Sequence, residues 1–209
     1  AKLAGFEQVE ILMEPVAAAT AFAMQNIGNN GKWLVFDFGG GTFDASIVSV
    51  DDGVMKVESS EGDNRLGGGD LDRAIVNNIM LPKIKEKFNL DGLDEDKLKG
   101  INRSLKRAAD EIKIELSFKN EYDWGSALNQ FGNDVDGNEI DLEHIFTQDE
   151  AHELFLPYYQ KAIDCVKELV KNNNLTIDEI DEFILVGGPT QIPLFRKMIE
   201  EQLKKPNTS

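Results

Sequence analysis

The chain has 209 residues, a formal net charge of −16 and 41% hydrophobic residues, enough for one large or two small domains with a real core. Such an acidic surface excludes general binding to nucleic acid or anionic membranes. No apolar run approaches the ~20 residues that span a bilayer, and there is no signal-peptide pattern. A small phosphate ligand is compatible with this charge if backbone donors, a local cation or a metal receive it. The single cysteine, Cys165, rules out a disulfide framework and a cysteine zinc site. Ala162, Cys165, Val166, Leu169 and Val170 share one helical face, which predicts a buried structural thiol rather than a nucleophile. His144 and His152, the only histidines, have no metal-ligand spacing. A reduced, cytoplasmic protein is expected.

In chain order, the opening "AKLAGF" reads as the tail of a helix, and "KKPNTS" at the other end follows another helix, so the sequence reads as a piece of a longer protein. "QVEILME" alternates and predicts a strand. Pro15 opens an alanine-rich helix to about Met24. "NIGNNGK" predicts a loop. "WLVFDF", "FDASIVSV" and "VMKVESSE" predict three antiparallel strands, separated by the turns "GGGT" and "DDG". A second glycine-rich loop, "GDNRLGGGDLD", leads into a helix that Pro82 should kink or divide. A long charged helix covers "DEDKLKGINRSLKRAADEIKIELS", and residues 118–146 mix short alternating runs with turns. Thr147 and Glu150 have capping-box form before a long amphipathic helix to about Val170, and Thr176 and Glu179 repeat it before a short helical turn. "EFILV" is a buried strand ending in "GGPTQIP", and "LFRKMIEEQL" is the last helix. This order predicts an α/β layer fold with an inserted subdomain.

The chemistry concentrates at "DFGGGTFD". Side-chain-free residues let backbone N–H groups surround phosphate oxygens. Thr42 adds a hydroxyl, while Asp37 and Asp44 repel phosphate unless a divalent cation such as magnesium lies between. The order is neither that of a P-loop nor that of a dinucleotide fold, so the phosphate would sit on a β-hairpin. "GNDVDGNEIDLE" resembles a calcium loop, with Asp134, Asp136, Gly137 and Glu143 in place, but Gly132 stands where the first ligand belongs, so calcium binding is not expected.

"FDFGGGTFDASIV" resembles the ATPase domain of the seventy-kilodalton heat-shock chaperones. "ILMEPVAAATAFA", "EGDNRLGGGDLD", "RAADEIKIELS" and "ILVGGPTQIP" agree with that family in order and spacing. The resemblance covers nearly the whole chain and is weakest over residues 118–150. It implies an actin-like, ribonuclease-H-like ATPase lobe, a mixed sheet with flanking helices and an inserted α+β subdomain. Residues 1–29 would be the last strand and helix of a first lobe, residues 30–66 and 153–209 the core of the second lobe, and residues 67–152 its inserted outer subdomain. It implies ATP or ADP with magnesium as ligands. Unfolded client proteins and co-chaperones would be partners through the full-length protein, with a nucleotide-exchange factor on the outer subdomain.

Carried over onto matching positions, Gly39, Gly40, Gly41 and Thr42 form the phosphate loop. Asp37 and Asp44 face magnesium through water, and Glu14 with Asp37 is catalytic, near the hydrolytic water. Gly67 and Gly68 lie where the insert meets the cleft. Asp110, Lys113, Ile114 and Ser117 form the adenosine-binding face, and their spacing of i, i+3, i+4 and i+7 puts them on one side of a helix. Gly187, Gly188, Pro189 and Gln191 form the loop under adenine and ribose. The sequence departs from the family pattern. Asp110 replaces glutamate, Ile114 stands where some members have arginine, Pro189 replaces serine and Gln191 replaces arginine. With Arg65 and Gly69, these mark a divergent member. A fragment with one wall of the cleft is expected to be inactive alone. The alternatives are an autonomous docking module for exchange partners and an actin-like sugar kinase, against which "GGGTFD" and "KIELS" speak.

Overall fold

The alternation of apolar residues decides the fold around the first hairpin. The computed structural model describes residues 2–25, 30–125 and 131–204. Helix α1 (Glu14–Gln25) starts one residue before Pro15, which therefore occupies a first-turn position where its missing N–H costs nothing. Strands β1 (Gly31–Phe38), β2 (Phe43–Asp51) and β3 (Val54–Asp63) form the predicted antiparallel meander. With a period of two, Leu34, Phe36, Phe38, Phe43, Ala45 and Ile47 face one core, and Trp33, Val35, Val48 and Val50 face another. The second face is covered by α1 through Ala19, with Phe22 set edge-on to Trp33 at 5.4 Å.

After β3 the chain turns through the second glycine loop into α2 (Gly68–Ile75). A π-helical turn, Val76–Met80, joins it to α3 (Leu81–Lys87). Pro82 thus divides the helix as expected, and the means is a widened turn in which Leu81 N–H donates to Val76 O five residues back. Helix α4 (Glu95–Leu116) begins with Asp94 accepting from Lys97 N–H. Strands β4 (Glu121–Trp124) and β5 (His144–Thr147) pair antiparallel and make the small sheet. Helix α5 (Gln148–Asn172) carries the predicted capping box, with Glu150 N–H donating to Thr147 and the Glu150 carboxylate accepting from Thr147 N–H. The second capping box, Thr176 with Glu179, precedes a single helical turn, Ile177–Glu179.

Strand β6 (Glu182–Val186) then lies parallel to β1, completing the order β3-β2-β1-β6, and α6 (Pro193–Leu203) follows. Helices α5 and α6 pack on the face opposite α1. Phe38 meets Tyr159 at 5.7 Å and Phe195 at 5.5 Å. The result is a mixed sheet between helical layers. The carboxyl ends of the parallel pair β1 and β6 lie on one edge, where open α/β sheets bind ligands.

Two expectations differ. "QVEILME" is not a strand: residues 8–13 are irregular and exposed, with Ile11 97% and Leu12 62% exposed. A strand exists only with a neighbour to take its backbone hydrogen bonds, and neither edge of the sheet, β3 or β6, pairs with this segment. The helix tail expected at the start is a single 3-10 turn, Lys2–Ala4. The predicted loop "NIGNNGK" lies partly outside the described residues, and its Gly31 and Lys32 belong to β1.

Candidate functional site

The first hairpin ends in a tight tip, with Gly39 N–H donating to Thr42 O at 2.9 Å. The second glycine loop is zipped onto it. Gly68 N–H donates to Gly39 O at 2.9 Å and Gly69 N–H donates to Gly40 O at 2.7 Å. The Asp70 carboxylate accepts from Gly67 N–H at 2.9 Å and fixes the start of α2 against the hairpin. The glycines here fall into two groups. A Cβ on Gly67 would lie 2.5 Å from Gly41 Cα, and one on Gly187, at φ +96°, would lie 2.0 Å from Phe38 O. Those two are required by close backbone approach. Gly40, Gly41 and Gly188 have nothing within 4 Å of a Cβ, and their φ values lie outside the left-handed region. Neither packing nor conformation asks for glycine at these three, and all three are exposed.

The residues expected to face a nucleoside lie on α4 and on the loop after β6. A Cβ on Gly68 would lie 3.3 Å from Pro189 Cγ, 3.4 Å from Lys113 Nζ and 3.7 Å from Gly39 O, so the hairpin, both later loops and α4 meet at this point. The loop is braced from below. Tyr159 O–H donates to Pro189 O at 3.2 Å, Thr190 O–H to Gly187 O at 2.7 Å, and Arg196 to Thr190 O and Gln191 Oε1, each at 3.1 Å. The expected face of α4 divides. Asp110 and Ile114 are exposed, Ile114 by 50%. Ser117 is half-buried and its hydroxyl donates to Lys113 O. Lys113 points inward and is bonded to Asp72 Oδ1 at 2.5 Å, Asp110 Oδ1 at 2.9 Å and Gly68 O at 3.3 Å.

The carboxylates gather on the α1 side of the sheet. Asp37 and Asp44 are direct partners across β1 and β2. With Glu14, Ser46 and Ser60 they line a cavity of about 260 Å³ at the start of α1. Burial, then the charges of Glu14 and Asp44, hold the Asp37 carboxyl above its ordinary value of 3.8. Among the described residues no three histidine, cysteine or carboxylate side chains converge into a ready-made chelate. Magnesium fits this donor set as a cation that keeps most of its waters, with oxygen donors from Asp37 and Asp44 beside the open glycine tip. Glu14, Asp37 and Asp44 lie together without a lysine or arginine lining the same cavity among the described residues, which gives such a cation an electrostatic reason to bind.

That arrangement has a pH signature. An aspartate whose folded pKa is raised binds more protons in the folded state than in the unfolded state, so stability falls as pH rises from 3.8 through the folded value. Asp37→Asn is therefore expected to melt higher than the parent at pH 7. The advantage should shrink as pH falls towards 3.8, and thermal unfolding at several pH values without divalent cations checks it.

Other sequence features resolve structurally. The calcium-like loop is a tight turn closed by Asp134, whose carboxylate accepts from Asp136 N–H at 3.0 Å, Asn138 N–H at 2.8 Å and the Asn138 side chain at 3.0 Å. Those bonds, the Asn138 side chain first, hold its carboxyl below the ordinary value and explain the acidic pattern without calcium. Cys165 is half-buried rather than fully buried, at the edge of its predicted face. Burial, with Glu61 and Glu168 nearby, pushes its thiol up to about 11, a poor nucleophile. Sequence reasoning missed Asp72, Tyr159 and Arg196. Asp72 carried a usable signal, an aspartate one helical turn after Gly68, the first residue of α2.

A glycine hairpin at the carboxyl end of a parallel strand pair, flanked by carboxylates and a braced second loop, is an arrangement suited to phosphate with a divalent cation in an α/β protein. A family model described as Hsp70 protein matches residues 1–209, and the chain belongs to the Hsp70 family. It is a chaperone-type ATPase domain segment with the actin-like fold. The family generally binds nucleotide with magnesium and works with client proteins and co-chaperones.

Proposed function

We propose that this chain forms one wall of the ATP-binding and hydrolysing cleft of a molecular chaperone, whose nucleotide state controls protein folding in the full-length protein. The observation that carries the reading is the open space over Gly40 and Gly41, where glycine has no internal purpose. The N–H groups of Gly40, Gly41 and Thr42 and the Thr42 hydroxyl hold the terminal phosphates of ATP or ADP, while the Gly39 N–H closes the turn beneath them. Gly188 and Pro189 sit under the nucleoside, while Ile114 supplies an apolar surface and Asp110 an acceptor. Glu14 and Asp37 orient a water and accept its proton. Bound magnesium supplies positive charge for the phosphates and acidifies that water.

On this reading residues 1–29 close a first lobe, residues 30–66 and 153–209 form the second-lobe core, and residues 67–152 form the outer subdomain, the proposed seat of a nucleotide-exchange factor. The proposed location is the cytoplasm, on the ground of the single half-buried cysteine. The cradle is open on its outer side, so the chain alone should bind weakly. Calorimetric titration with ATP and magnesium is expected to give a Kd between ~1 µM and ~1 mM, with no turnover. Micromolar or tighter affinity, or steady hydrolysis, would refute the single-wall assignment.

A further inference from the structure

We infer that Asp72 is a positioning residue that anchors Lys113 between α2 and α4 and so fixes the spacing of the phosphate hairpin and the nucleoside face; this rests on the nucleotide reading above. Asp72 lies on the second turn of α2 and Lys113 on the last third of α4. Both side chains are almost fully buried, with 7% and 10% exposure, whereas the side chain of Asp110, the second carboxylate on Lys113, is 55% exposed. A lone buried ammonium or carboxylate is costly, and each compensates the other only while both stay in place.

The pair also holds a backbone link. Gly68 is bonded at both ends: its N–H donates to Gly39 O in the hairpin and its C=O accepts from Lys113. A continuous path therefore runs from the Gly39–Gly40 tip through the Gly68 peptide to Lys113 and on to Asp72 and Asp110. Lys113 has three N–H donors, and Asp72, Asp110 and Gly68 O use all three. Its task in the free protein is thus to staple the two loops. Asp110, the exposed member, is the partner that a ribose hydroxyl could share. Burial raises the Asp72 carboxyl against the opposing pull of Lys113, in keeping with a pair held away from water.

Residue-resolved amide hydrogen exchange without nucleotide tests the staple. Asp72→Asn is expected to speed exchange at Gly68 and Gly69 at least about ten-fold while the β1–β2 ladder is unchanged. Lys113→Met should do the same, and the double variant should be no worse than Lys113→Met alone. Asp72→Glu, which keeps the charge, should restore most of the protection and serves if Asp72→Asn does not fold. Unchanged exchange at Gly68 and Gly69, or a uniform rise across the ladder, overturns the proposal. Titration of the same samples with millimolar ADP and magnesium separates the two readings. A parent chain that shows no response defeats the nucleotide reading while the exchange result still decides the staple. A parent that responds and an Asp72→Asn variant that responds equally well overturn the positioning role.

Discussion

Gly187→Ala is expected to destabilise the protein by about 3 kcal/mol or more, the largest effect of any single methyl in the site. The added Cβ would sit 2.0 Å from Phe38 O and 2.6 Å from Phe38 C, at a φ of +96° that alanine disfavours. Neither side can yield cheaply. Phe38 ends β1 and its ring is fixed between Phe43, Tyr159 and Phe195. The Gly187 loop is tied down through Pro189 and Thr190. For a chain of this size such a loss should lower the melting temperature by roughly 10 °C, measurable by differential scanning calorimetry. Gly67→Ala should behave similarly, because its Cβ would meet the Gly41 backbone. A parent-like melting temperature for Gly187→Ala would contradict the observed approach of the β6 loop to the hairpin.

The same methyl added at the tip is expected to do the opposite. Gly40→Ala combined with Gly41→Ala should leave stability within ~0.5 kcal/mol, because both Cβ positions are open. It should weaken magnesium-ATP binding roughly 100-fold or beyond detection, since methyl groups would hold phosphate oxygens away from backbone donors. Phosphorus NMR titration to millimolar ATP reads the binding and thermal unfolding reads the fold. Equal ATP response in the variant and the parent would mean that the hairpin is not a phosphate cradle.

These opposite outcomes show what could be read in the sequence and what could not. "DFGGGTFD" announced a hairpin with exposed glycines, because alternating apolar residues specify strands on both sides of the tip. The four apolar residues of "EFILV" and the two capping boxes were equally direct, since a local pattern fixes a strand or a helix start. Which glycines serve packing depends on a second loop brought in from elsewhere in the chain, and no local pattern holds that information. Gly67 and Gly40 look alike in sequence and differ entirely in surroundings.

The helix face made the same point. Spacing placed Asp110, Lys113, Ile114 and Ser117 on one side of α4, but the approach of α2 decided that Lys113 turns inward to Asp72. "QVEILME" had strand character without a partner strand, and local preference alone did not make it one. The acidic run near Asp134 imitated a calcium loop because turns and calcium sites both use carboxylates to gather N–H groups or cations.

The most direct test of the account is a crystal of this chain soaked with ATP and magnesium. The terminal phosphates are expected against the N–H groups of Gly40, Gly41 and Thr42, the metal on the Asp37 and Asp44 side, and the nucleoside over Gly188 and Ile114. A nucleotide bound away from the hairpin, for instance in the cavity of about 390 Å³ lined by Ile101, Phe131 and Asn133, with Gly40 and Gly41 left bare, would contradict it.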